Sequence, residues 1–217
     1  MASTRSAADL LGGVEELVQG AGLAVDREAC TRLAAYVALL FRWNERMNLT
    51  ALDAGEEGLQ RLVVEPLVAG RQIPPEARTM IDIGSGNGSP AIPVKIARPE
   101  LLVRMVESRT RKAAFLREAV RRLKLAETVV ENCRFEVLID NPQMREAHDV
   151  LTVRGIRVDG CASARLQELV RPGGTLLVFA SSGGSEAEGA LQAAGGVVET
   201  RAALERSGSE VIVIRKP

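Results

Sequence analysis

The residues best suited to chemistry lie in one short run, Gly84-Ser85-Gly86-Asn87-Gly88. Glycine lacks a Cβ and enters positive φ freely, so such a loop lets a ligand come close to backbone. Thr79-Met80-Ile81-Asp82-Ile83 stands ahead of it with the pattern of a buried strand. Leu101 to Val106 reads as the next strand. Glu107 ends that strand roughly 20 residues after the loop, where an acid meets ribose hydroxyls in nucleotide-binding sheets. Strand, glycine loop, short helix, strand and terminal acid together describe a nucleoside pocket.

A nicotinamide dinucleotide would call for G-x-G-x-x-G. Here the glycines sit at 84, 86 and 88, and Ser89 stands where the third dinucleotide glycine would be. A sulfonium nucleoside, S-adenosylmethionine, carries no pyrophosphate and makes no demand for an anion site at the helix N-terminus. Gly84, Gly86, Gly88 and Glu107 are therefore the candidate residues for that cofactor. The three cysteines, Cys30, Cys133 and Cys161, have no metal-ligand or redox spacing, so no metal is expected. Asn141-Pro142-Gln143-Met144 resembles the Asn-Pro-Pro-aromatic motif of amino-group methyltransferases, but it precedes the fourth strand and reads as a turn.

These residues need a scaffold. Ala7 to Val18 has a helical pattern, and Asp26 is an N-cap for a long helix running to Met47. A third helix is predicted over Glu56 to Gly70, kinked where Pro66 removes a backbone donor. Pro74-Pro75 closes this part, giving an N-terminal helical cap over residues 1–75 and a second domain over 76–217. From Thr79 onward short apolar runs alternate with helical stretches: helices over Pro90–Arg98, Thr110–Leu123, Ala162–Val170 and Ser185–Ala194, strands at Val129-Val130, Asp149–Val153 and Thr175–Phe179. That alternation implies a mostly parallel sheet covered on both faces. Val197–Ala203 and Glu210–Arg215 leave no room for a helix and should pair as an antiparallel hairpin. The expected fold is α/β: a Rossmann-like, seven-stranded class I methyltransferase sheet preceded by helices.

Composition bounds the rest. The 217 residues carry 28 basic and 28 acidic side chains, which argues against a general polyanion-coating protein. The basic residues are uneven, however. Arg104, Arg109, Arg111, Lys112, Arg117, Arg121, Arg122 and Lys124 face only Glu107 and Glu118 as nearby acids. No apolar run reaches the roughly 18 residues of a membrane span. The N-terminus lacks the order of a secretory signal and the cysteines are unpatterned, so the expected setting is the cytoplasm.

Beyond these derivations the chain resembles the GidB (RsmG) family, bacterial 16S ribosomal RNA guanine-N7 methyltransferases. Arg42-Trp43-Asn44-Glu45-Arg46-Met47-Asn48-Leu49-Thr50 resembles its Trp-Asn…Asn-Leu-Thr signature, and Ile81 through Pro90 its cofactor motif. Val106-Glu107-Ser108 with Arg111-Lys112-Ala113-Ala114-Phe115-Leu116, then Asn132 through Glu136, and Asp149 through Arg154, are similar to later motifs. The resemblance runs from Tyr36 to Lys216. It implies that Gly84 and Ser89 line the cofactor, that Glu107 takes the ribose, that Phe135 and Glu136 flank the adenine and that Arg154 lies by cofactor and target. It also implies 16S ribosomal RNA, or the small ribosomal subunit, as partner of a monomer. Arg61, Arg109, Arg111 and Lys112 are the candidates for RNA contact. The chain departs from the family at Leu62, Pro66, Ser89, Ala91 and Ala180. A diverged relative with another substrate, or a cofactor-binding protein without catalysis, are the alternatives this leaves.

The chemistry needs little. N7 of guanine carries a lone pair and no proton, so it attacks a sulfonium methyl directly and needs no general base. No residue is assigned as catalytic. His148, the only histidine, falls at the start of the fourth strand, away from the cleft, and reads as structural.

Overall fold

A computed structural model describes residues 5–155, 165–181, 186–204 and 208–217. Helix α1 spans Ala7–Gly20 and α2 spans Arg27–Met47. Ser6 and Asp9 cap α1 reciprocally, and the Asp26 carboxylate accepts from Ala29 N–H to start α2. The Trp-Asn…Asn-Leu-Thr signature ends α2. Asn48 takes the left-handed cap position (φ 46°), and the Asn44 amide closes on Thr50, donating to its carbonyl at 3.0 Å and accepting from its N–H at 2.9 Å. Trp43 packs edge-on against Phe115, with ring centroids 5.9 Å apart.

The third helical stretch differs from the expected kink at Pro66. It runs as α3 (Glu56–Leu59), a π turn (Gln60–Val64) and α4 (Glu65–Gly70). Pro66 offers no N–H, and the ladder widens before it, so that Glu65 N–H reaches Gln60 O, five residues back. Pro66 itself sits in the first turn of α4, where its missing donor is harmless.

Seven strands form one sheet: β1 Thr79–Ile83, β2 Leu102–Val106, β3 Thr128–Glu131, β4 His148–Arg154, β5 Val170–Ser181, β6 Val197–Leu204 and β7 Ser209–Arg215. Their order is β3-β2-β1-β4-β5-β7-β6. The pairs from β3 to β5 are parallel, and β7 inserts antiparallel between β5 and β6. This is the class I methyltransferase order with its C-terminal hairpin. The order switches direction at β1, whose carboxyl end carries the glycine loop, the usual place for a ligand in such sheets. Helices α5 (Ala91–Ala97), α6 (Thr110–Arg122), α7 (Phe135–Ile139) and α8 (Glu186–Ala193) are the remaining described α-helices, and Pro142–Met144 forms a 3-10 turn ahead of β4.

Two differences from the sequence reading stand out. Phe135–Ile139 is a helix of five residues, too short to announce itself by periodicity. The helix expected over Ala162–Val170 falls partly outside the described residues; within them, Leu166–Leu169 is a 3-10 turn and Val170 already belongs to β5. One apolar cluster joins Leu10, Leu33, Leu40 and Leu62 of the N-terminal helices to Met80, Met105, Val150 and Val213 of the sheet. The N-terminal helices therefore cover one sheet face and share its core.

Candidate active site

The glycine loop is held from three sides. From β2, the Val106 carbonyl accepts from Gly84 N–H at 2.9 Å and Ser85 N–H at 3.0 Å. From α2, the hydroxyl of fully buried Tyr36 donates to Asn87 O at 2.9 Å. From within, Ser85 Oγ donates to Asp82 O, and Asn87 Oδ1 accepts from Ser89 N–H. Gly84, Gly86 and Gly88 all take positive φ (72°, 50° and 90°), the region that L side chains rarely enter. A Cβ on Gly88 would meet Ile92 Cδ1 at 2.5 Å, so α5 packs where no side chain fits.

Glu107 is buried at the end of β2. Its Oε2 accepts from Gly86 N–H at 2.9 Å and its Oε1 from Arg109 N–H at 2.7 Å. The acid is thus locked in orientation against the glycine loop. A carboxylate oxygen has a second lone-pair site beyond each of these bonds, so acceptor capacity is left for two vicinal hydroxyls. Asn132, which the sequence reading placed only within a motif, donates to Glu107 O and Ser108 O at 2.9 and 3.2 Å and fixes the turn after β2. The α7 residues Phe135 and Glu136 are half-buried beside this turn; Arg134 pairs with Glu136 at 3.3 Å, and Glu136 Oε2 is buried with no partner among the described residues.

Asp82 was not singled out as a site residue. It is 1% exposed in the centre of β1, beside Thr152 of β4, whose hydroxyl donates to its Oδ1 at 2.6 Å. Its Oδ2 has no partner among the described residues. Burial pushes its pKa up to about 6, partly offset by the hydrogen bond from Thr152.

Arg154 stands beside the glycine loop with its fork turned into the protein: Nη2 pairs with the Glu65 carboxylate, and Nη1 donates to Arg61 O at 2.8 Å and Ser89 Oγ at 3.2 Å. The guanidinium also lies over the Phe179 ring at 5.0 Å. Ser89 accordingly turns its hydroxyl to Arg154 and is 7% exposed. Arg61 is likewise drawn inward, its Nε buried without a partner among the described residues.

The cations of α6 divide. Arg121 and Arg122 clamp Glu118, and Arg104 pairs with Glu131. Arg109, Arg111 and Lys112 make no ion pair among the described residues and lie at the N-terminal end of α6, beside the cleft. Lys112 faces the loop: a Cβ on Gly86 would stand 3.8 Å from its Nζ and 3.9 Å from Glu107 Oε2. His148 lies at the opposite end of β4, buried, and Nδ1 donates to Leu169 O at 3.0 Å. Burial lowers its pKa, so it stays neutral at pH 7. Among the described residues no cluster of three metal-ligating side chains occurs, and no helix is long and apolar enough to cross a membrane.

The GidB family, described as rRNA small subunit methyltransferase G, matches residues 29–195. The chain belongs to the GidB family. It is 33% identical, over 94% of its length and 97% of the other, to the ribosomal RNA small subunit methyltransferase G of Syntrophotalea carbinolica. The protein of that name from Roseiflexus sp. is 37% identical over 88% of this chain and 78% of its own. Among solved structures, a SAM-dependent methyltransferase from Aquifex aeolicus superposes with a TM-score of 0.59 at 14% identity, covering 75% of this chain and 94% of that one. Precorrin-6y C5,15-methyltransferase from Geobacter metallireducens gives 0.55 at 16% identity over 77% and 92%. The structural likenesses establish the class I fold. The residues of the site fit S-adenosylmethionine. Three positive-φ glycines leave the loop backbone bare, an oriented acid stands where a ribose is recognised, and a buried acceptor on Asp82 lacks a donor.

Proposed function

We propose that this protein transfers a methyl group to N7 of a guanine in 16S ribosomal RNA, acting as a monomer in the cytoplasm. One observation carries the choice of atom: in the described cleft Glu107 is engaged by two backbone N–H groups, Asp82 accepts from Thr152 and Glu136 pairs with Arg134, while the only histidine lies at the far end of β4. A ring nitrogen with a lone pair and no proton is the acceptor such a site can serve.

Held by the glycine loop and Glu107, S-adenosylmethionine would supply an electrophilic sulfonium methyl group for direct displacement by the N7 lone pair, with no proton to remove. Glu107 and the glycine loop orient the donor, and alignment supplies most of the rate. Asp82, ionised above about pH 6, places negative charge behind the loop. Arg109 and Arg111 flank the entrance and suit backbone phosphates.

Undermethylated small ribosomal subunits and methyl-labelled S-adenosylmethionine test this. Label recovered as 7-methylguanine is the expected result; label on another atom, or none, would sink the reading. Gel filtration of the free protein checks the monomer.

A further inference from the structure

We propose that Glu65 is a positioning residue for methyl transfer: through Arg154 its buried carboxylate sets the Ser89 hydroxyl and hence the exit of the cofactor loop. The inference rests on the methyltransferase reading.

Arg154 is where separate elements meet. Its planar fork touches the π turn through Arg61 O, α4 through Glu65, the cofactor loop through Ser89 Oγ and β5 through the Phe179 ring. A guanidinium holds such directions rigidly, since its donors are coplanar and fixed. Among the described residues Glu65 is the one anion paired with it, and it is 0% exposed. The π turn explains how both ends arrive. By widening the helix before Pro66, it leaves the Arg61 carbonyl and the Glu65 side chain on the same guanidinium.

This arrangement is poor design for stability alone. A buried pair gives back in attraction little more than its desolvation cost, and apolar side chains of similar volume often serve as well. Glu65 Oε1 is left buried with no partner among the described residues, an added cost. What the pair does provide is direction. Ser89 follows Gly88 and bonds back to Asn87, so the setting of Ser89 is the setting of the loop's second half. Without an anion beside it, Arg154 loses the charged partner that fixes its fork against Ser89 and keeps only the Arg61 carbonyl and the Phe179 ring. A displacement of about 1 Å at the methyl donor can cost on the order of 100-fold in rate.

The experiment compares the full chain with Glu65→Gln and Glu65→Asp, each assayed well below its own thermal midpoint. Methyl-labelled S-adenosylmethionine and undermethylated small subunits give kcat and KM, and calorimetry with S-adenosylhomocysteine gives Kd. The expected order of kcat is Glu, then Asp, then Gln, with Gln lower by roughly 100-fold. Kd should rise much less, because Glu107 still holds the nucleoside end. Asp, which keeps the charge but shortens the reach, should recover part of the loss. If the Gln variant does not fold, Asp carries the test alone with an expected loss of about 10-fold in kcat, a fraction of the misplacement cost. Wild-type kcat in either folded variant, whatever its midpoint, overturns the inference. Failure of the unaltered protein to transfer label would instead sink the methyltransferase reading.

Discussion

The Tyr36 hydroxyl donates to the Asn87 carbonyl at 2.9 Å, tying the middle of α2 to the middle of the glycine loop. Tyr36 is fully buried, and burial raises its pKa, so the hydroxyl keeps its proton and its role as donor at any working pH. The helical segment is thus part of the wall behind the glycine loop. Tyr36→Phe removes the donor and little volume. The expected cost is about 1–2 kcal/mol, or a fall of roughly 3–6 °C in thermal midpoint for a chain of this size. Cofactor Kd should rise several-fold. Scanning calorimetry and titration with S-adenosylhomocysteine check both, and wild-type values in the two would remove Tyr36 from the site.

Gly86 and Gly88 should respond differently to the same substitution. Both have positive φ, which costs an alanine about 1–2 kcal/mol. At Gly86 the added methyl meets no protein atom closer than 3.5 Å and stands near Lys112 and Glu107, so the fold tolerates it while the cofactor's space is taken. At Gly88 it meets Ile92 Cδ1 at 2.5 Å and Cγ1 at 3.1 Å and must displace that buried side chain of α5. Gly86→Ala should therefore fold with a modest loss and bind S-adenosylhomocysteine at least 10-fold more weakly, a difference of about 1.4 kcal/mol. Gly88→Ala should lose more stability in urea than Gly86→Ala. The reverse order would mean that the loop relaxes away from α5.

Much of this was legible in the sequence because it is local. The glycine loop, its strand and Glu107 follow one another, and the hairpin follows from the missing helix between Val197–Ala203 and Glu210–Arg215. Partners distant in the chain were not legible. Glu65 lies 89 residues from Arg154 and Tyr36 lies 51 from Asn87, and no spacing rule joins them. Pro66 announced a lost donor without saying that Gln60–Val64 would absorb it as a π turn. Trp43 and Asn44 marked the family; only the coordinates reveal a ring packed on Phe115 and an amide clamping Thr50.

Asp82 gives a stability test with a definite sign. Burial raises its pKa from 3.8 to about 6. The folded state therefore binds the proton more tightly than the unfolded state does. The stabilisation is fully present below about pH 3.8 and is lost as pH rises through about 6. By pH 7.5 the ionised carboxylate costs on the order of 3 kcal/mol relative to the protonated form. Asp82→Asn keeps the acceptor for Thr152 and removes the titration. Relative to the parent protein it should gain stability between pH 4 and pH 7.5, measured by urea unfolding. A difference that does not vary with pH would show that Asp82 has the same pKa folded and unfolded.

Glu107→Ala should weaken S-adenosylhomocysteine binding roughly 10- to 100-fold, as expected for losing hydrogen bonds to a charged acceptor. The substitution also strips Gly86 N–H and Arg109 N–H of their partner, so the loop loosens together with the loss of ribose contacts. Glu107→Gln separates the two effects. Its single carbonyl oxygen can keep one backbone bond but cannot replace both carboxylate acceptors. The expected order of Kd is Glu, then Gln, then Ala, read by calorimetry; a Kd unchanged in Ala would remove the acid from the site.

Arg111 and Lys112 are neighbours in sequence with different outlooks. Arg111 is exposed on the first turn of α6, whereas Lys112 is half-buried and faces Gly86 and the Glu107 carboxylate. Contact with an RNA phosphate is a screened, exposed interaction that releases counterions. Each such contact contributes about 0.7 to the slope of log affinity against log salt on a single strand. Arg111→Ala should therefore weaken binding to small-subunit RNA at low salt and lower that slope by somewhat less than 1, leaving cofactor Kd unchanged. Lys112→Ala should do the opposite, moving S-adenosylhomocysteine Kd more than the salt slope. Filter binding across a salt series, paired with calorimetry, separates the two, and equal effects from both variants would place Lys112 on the RNA side with Arg111.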